Sequence, residues 1–108
     1  MKTIQQHREE LKKAAEFLQG LNEYSCAHYA KVLQQHDTYV RLCTEAGVQI
    51  EPLIDVDRFE MIYKLLSFAP LKDRATLMLG EAPEITRLLA RTRNAGGFYT
   101  DQQHWIEL

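Results

Sequence analysis

The sequence predicts a mainly α-helical fold: an N-terminal helical hairpin packed on a C-terminal three-helix unit. Two observations carry this reading. Before Gly47, apolar residues recur at seven-residue intervals, the spacing of helical stripes that meet along a seam. After Gly47, Pro52, Pro70, Gly80, Pro83 and Gly96-Gly97 divide the chain into helix-sized pieces. The chain reads as a single domain over 1-108, with a hairpin or dimerisation region at 1-47 and a helical region at 48-108.

The first helix starts at Thr3, with Gln6 three residues on, a capping-box spacing. Ile4, Leu11 and Leu18 form one seven-residue row, with Ala14 and Leu21 beside it, and Gly20 and Asn22 mark the end. A second helix is expected from Glu23 to Ala46. One of its rows is Cys26, Leu33 and Val40, the other Tyr29, His36 and Cys43, and Gly47 supplies the terminating glycine. Gly20 costs only about 1 kcal/mol inside a helix, so a single long helix from Thr3 to Ala46 competes with the hairpin.

A connection, Val48 to Ile54, leads to a third helix capped by Asp55 or Asp57. Its apolar side is Phe59, Ile62, Tyr63, Leu65, Leu66 and Phe68, and Pro70 ends it. A short helix from Lys72 to Leu79 closes at Gly80. A fifth, 84-94, opens after Pro83 with Ile85, Leu88 and Leu89 inward and Arg87, Arg91 and Arg93 outward. Two structures suit the tail. Residues 98-100 and 104-106 around Asp101-Gln102-Gln103 fit a small β-hairpin. Thr100 with Gln103 fits a second capping box, and so a terminal helix.

Composition excludes several classes. With 45% apolar and 26% charged residues and no long apolar run, the chain is neither disordered nor membrane-spanning. Residues 1-20 are polar and charged, so no secretory signal is expected and the localisation read from the sequence is cytoplasmic. Thirteen basic against 15 acidic side chains leave a net charge of -2, without the strong positive field of a sequence-blind nucleic-acid binder. Cys26 and Cys43 are expected to be free thiols. On one helix they lie about 25 Å apart, far beyond the roughly 7 Å that a disulfide spans.

Little in the sequence points to catalysis or metal. Cys26, His28, His36 and Cys43 are spaced by 2, 8 and 7 residues. One ion on a helix wants ligands three or four apart, so these read as packing residues and no metal or cofactor is expected. The cluster Asp55, Asp57 and Glu60 lacks the further ligands of a calcium loop and reads as helix capping. No nucleophile elbow, phosphate loop or dinucleotide fingerprint occurs, and no enzyme activity is expected.

The C-terminal half has the helix-helix-helix-hairpin order of a winged helix. In that scheme helix 84-94 enters the major groove and Arg87, Arg91, Arg93 and Asn94 contact DNA. Helix-turn-helix spacing fits poorly, because counting from Gly80 puts Thr86 where an apolar residue is wanted. The tyrosines, together with Trp105, are many for so small a core, and aromatic residues suit interface centres. The leading expectation is a non-enzymatic interaction protein. It would bind a protein partner and self-associate as a homodimer through Leu11, Leu18, Tyr29, Leu33 and Val40. The alternative is a sequence-specific DNA-binding regulator, dimerised through 1-46, that reads DNA with helix 84-94 and a C-terminal wing.

Overall fold

The structure, a computed structural model, describes residues 1–17 and 25–108. Expectations placed on Leu18, Gly20, Leu21, Asn22 and Glu23 lie outside the described residues. Among those described, the elements run α1 (Ile4–Phe17), α2 (Ser25–Ala46), α3 (Val56–Phe68), α4 (Leu71–Leu79), α5 (Ala82–Ala95), β1 (Gly97–Tyr99) and β2 (Trp105–Glu107). No described helix is long and apolar enough to cross a membrane.

Local signals act where the sequence puts them. At the start of α1, the Gln6 N–H donates to Thr3 Oγ1 (3.1 Å) and the Thr3 N–H to Gln6 Oε1 (2.8 Å), a reciprocal capping box. At the end of α2, Gly47 takes φ +66°. The Val48 N–H then reaches back to the Cys43 carbonyl and the Gly47 N–H to Thr44. This pair of bonds is the Schellman arrangement, and it depends on the left-handed residue. Asp55, not Asp57, caps α3, accepting from the Arg58 N–H at 3.1 Å. Pro70 follows α3, and its carbonyl then accepts from Asp73 and Arg74 to begin α4.

Helix α2 is the centre of the molecule. It packs on α1 on one side and on α3 on the other, so the hairpin holds and the single-helix alternative does not. At 22 residues it is about 33 Å long. A rod of that length fits a body of 43 × 24 × 21 Å only along its long direction.

Having two neighbours widens the buried arc. Tyr29, Val32, Tyr39 and Cys43 are all buried, with His36 half-buried between them. The expected row of Cys26, Leu33 and Val40 is only half-buried, and Val32–Tyr39 takes its place. Seven-residue spacing finds such rows but does not rank them. Cys26 still touches α3, its Sγ lying 3.1 Å from Ser67 Oγ. Both thiols are free.

The remaining core comes from Leu11 on α1, Met61, Ile62, Leu65 and Leu66 on α3, Leu77 on α4, Leu88 and Leu89 on α5, and Phe98 on β1. Met61 joins this core unexpectedly, whereas Phe68 at the end of α3 is half exposed. The connection 48–54 is held to the hairpin at Glu51. Its N–H donates to the Tyr39 hydroxyl (3.3 Å) and its carboxylate pairs with Arg8.

The tail is a hairpin. Phe98 pairs with Ile106 and Tyr99 with Trp105 in an antiparallel ladder. Thr100 and Gln103, the residues that suggested a helix cap, instead close the turn. The Gln103 N–H donates to the Thr100 carbonyl (3.0 Å) and the His104 N–H to Thr100 Oγ1 (3.2 Å), with Gln103 at φ +63°. A turn followed by a left-handed residue is a common three-residue hairpin loop.

Candidate nucleic-acid interface

Helices α4 and α5 are joined by Gly80 and Glu81 alone. The turn is tight enough that a Cβ at Gly80 would lie 2.5 Å from the Thr76 carbonyl oxygen, so any side chain there pushes on helix backbone. Glu81 begins α5 with Pro83 in the first turn, where a missing N–H costs nothing. Ile85, Leu88, Leu89 and Thr92 then turn inward. Thr92 is the buried polar member, and its hydroxyl is satisfied by the Leu88 carbonyl at 2.8 Å. The spacing expected of a helix-turn-helix places Thr86 inside, but Thr86 is exposed and Ile85 does that packing. The short turn shifts the inward position by one residue.

Helical geometry sorts the expected DNA contacts. At 100° per residue, Arg87, Arg91 and Asn94 share one outer row; Arg87, Ala90 and Asn94 lie opposite the core, and Thr86 lies about 100° round from Arg87, beside Arg93. Arg93 stands about 120° from Arg87, on the side toward α3, where it borders a cleft with Asp57, Glu60, Lys64 and Glu107. The four residues Arg87, Arg91, Arg93 and Asn94 are all exposed, yet they do not form one cluster.

Their electrostatics differ as well. Arg91 faces Asp73 of α4 at 3.4 Å, an exposed pair of small energetic weight. Arg87 and Arg93 make no ion pair or hydrogen bond among the described residues. Arg87 is therefore the outer-row guanidinium available for a bidentate contact. Ala90, three residues on and on the same outer face, flanks it with a methyl group and went unremarked in the sequence. Counting outward from the inward set Ile85, Leu88, Leu89 and Thr92 would have found it.

The hairpin follows α5 directly. Gly96, at φ +76°, caps the helix, and its carbonyl accepts from the Leu108 N–H, so the second strand closes onto the helix end. Lys64 of α3 ties the same strand by donating to the Glu107 carbonyl at 3.0 Å. The inner face carries buried Phe98 and half-buried Ile106. The outer face carries Tyr99 and Trp105, exposed and in edge-to-face contact at 5.0 Å. The loop Asp101-Gln102-Gln103-His104 is exposed throughout.

The residues expected at a partner interface lie elsewhere, and two of them are inaccessible. Leu11 and Tyr29 are 0% and 4% exposed, covered by this chain itself. Val40 is half-buried against the core, Leu33 is half-buried in a surface groove beside Tyr63 of α3, and Leu18 lies outside the described residues. The α1–α2 stripe therefore does not by itself require a second copy, because α3 supplies the cover that a two-helix hairpin lacks.

Among the described residues, no group of three or more His, Cys, Asp or Glu side chains is placed to hold a metal ion. Asp55 is spent on its cap, while Asp57 and Glu60 share their cleft with Lys64 and Arg93. Comparison of the chain with protein families, curated proteins and solved structures gives no match.

Proposed function

We propose that this protein binds duplex DNA in the manner of a winged helix, with α5 in the major groove and the 97–107 hairpin as the wing. One observation carries the reading: helix, two-residue turn, helix, then a hairpin closed onto the end of that helix, with the outer face of α5 covered by no other described element. Arg87 takes the base-reading role, its guanidinium suited to the O6 and N7 acceptors of guanine. Ala90 offers a methyl contact to thymine. Arg91 and Asn94 sit one and two turns on, toward the backbone. The net charge of -2 fits a reader that makes few phosphate contacts better than a general nucleic-acid binder.

The test is selection from a randomised duplex library, followed by titration at several salt concentrations. Arg87→Ala is expected to weaken the selected site about tenfold or more and relax its base preference. Arg91→Ala is expected to lower the salt slope by about one. Equal binding of selected and random duplexes, or none at low salt, rejects the reading.

A second reading, a non-enzymatic interaction protein that self-associates, is favoured by the exposed Tyr99–Trp105 pair and the negative net charge. Aromatic residues are enriched at interface centres. Light scattering across concentration distinguishes it: a dimer dissociated by Trp105→Ala places the contact on the hairpin instead of the α1–α2 stripe.

A further inference from the structure

A cavity of about 460 Å³ opens where α1, α2, α3 and the α4–α5 turn meet, within the size range of small-molecule sites. Its walls are unevenly furnished. Phe59, Met78 and Ile85 give an apolar surface, and Gly80 brings the backbone of the turn to its edge. Tyr29 and Phe59 meet edge-to-face at 5.0 Å. Two polar groups stand apart from this surface. Tyr29 is 4% exposed, and its hydroxyl makes no hydrogen bond among the described residues. The hydroxyl is not sealed from solvent, so it stays open to a ligand that enters the cavity. Arg58 is exposed at the same cavity, and its guanidinium makes no ion pair or hydrogen bond among the described residues. Its charge is felt at Tyr29, where it opposes the upward push of burial on the phenol's pKa.

We infer that this cavity is a binding site for a small monocarboxylate with an apolar body, its carboxylate accepting from the Arg58 guanidinium and the Tyr29 hydroxyl and its body lying on Phe59, Met78 and Ile85. Charge selects the class. A guanidinium offers a forked pair of donors to a carboxylate, a phenol adds a third, and Phe59, Met78 and Ile85 give the body an apolar wall, with Thr86 the further polar side chain of the lining. Asp55 and Asp57, the acidic neighbours of Arg58 in sequence, do not occupy it: Asp55 accepts from the Arg58 backbone and Asp57 borders the cleft with Lys64 and Arg93. The site stands independently of the DNA-binding reading.

The experiment uses the full chain with three probes, benzoate, 3-phenylpropionate and octanoate, and with 3-phenylpropionamide as the uncharged control. Binding is followed by calorimetry and by amide chemical shifts, at probe concentrations up to about 5 mM, enough to detect millimolar affinity. At least one acid is expected to bind and to shift residues of α3 and the α4–α5 turn, with the amide about tenfold weaker. Arg58→Gln is expected to remove the preference for acid over amide, leaving both equally weak. Tyr29→Phe, which keeps the ring packing, is expected to weaken the acid several-fold. The aromatic and aliphatic probes then report which body the cavity prefers. The inference is overturned if no acid binds, if acid and amide bind alike to the natural chain, or if Arg58→Gln leaves the acid's affinity unchanged in a protein with the natural melting curve.

Discussion

Helices α2 and α5 are both amphipathic and both end on a left-handed glycine, but they are covered differently. Neighbours press on α2 from two sides, α1 and α3, and its tyrosines at 29 and 39 are inside. Helix α5 is covered on one side only, so Arg87, Ala90 and Asn94 face outward. A stripe of apolar residues thus says that a helix is buried somewhere, while the number of covered sides decides whether the helix is scaffold or surface. On that comparison α2 holds the fold together and α5 is where a ligand can be met.

The sharpest way to break the comparison is Leu11→Ala. Leu11 is fully buried on the α1 side of α2, and truncation of such a residue costs about 2–5 kcal/mol. The loss, read by denaturant unfolding, is expected to be independent of protein concentration. A loss that shrinks as concentration rises would mean that a second copy covers the stripe. Gly97→Ala comes next. A Cβ there would stand 2.2 Å from the Ile106 carbonyl oxygen and 2.7 Å from the Trp105 ring, so the hairpin must give way at about 1–3 kcal/mol. Trp105 is the chain's single tryptophan, and its fluorescence is expected to shift toward that of a solvated indole. An unchanged spectrum would mean that the strands separate easily.

A smaller effect is expected from pH. Burial raises the Tyr29 pKa above its ordinary 10.0, so the folded chain keeps the phenol neutral where the unfolded chain has begun to ionise. That contribution is intact below about pH 10 and is lost as pH rises through the folded value. Tyr29→Phe is expected to flatten this part of an alkaline unfolding curve, and an unaltered curve would place the loss elsewhere. The least effect on stability belongs to Arg87→Ala, within about 0.5 kcal/mol, because the side chain touches nothing that holds the fold. A larger loss would mean that the outer face of α5 is structural after all, and would sharpen α5 into a second α2.

Much of the fold was legible because its signals are local. Thr3, Gly47, Asp55, Pro70, Gly80 and Gly96 act within a few residues of themselves, and all six mark element ends where expected. What lay beyond the sequence depends on contacts between distant segments. That Val32 and Tyr39 outrank Leu33 and Val40 follows from α1 and α3 flanking α2, which no window along α2 reveals. Thr100 and Gln103 suit a cap and a hairpin loop equally. The choice falls to the hairpin, whose strand 105–107 is held by Gly96 and Lys64. For the candidate interface, residue identities were legible and their grouping was not. Three arginines on one helix look like a patch until Asp73 takes one and helical geometry turns another away.

Because α2 is shared, the two halves of this protein have no fault line between them. A truncation that keeps only 48–108 would strip the α2-facing side of α3 and offer Phe59, Tyr63 and their neighbours to water. Melting of the intact chain is accordingly expected as one cooperative transition. Trimming the molecule to its last three helices and hairpin would yield an aggregating fragment, and its behaviour would say nothing about the whole.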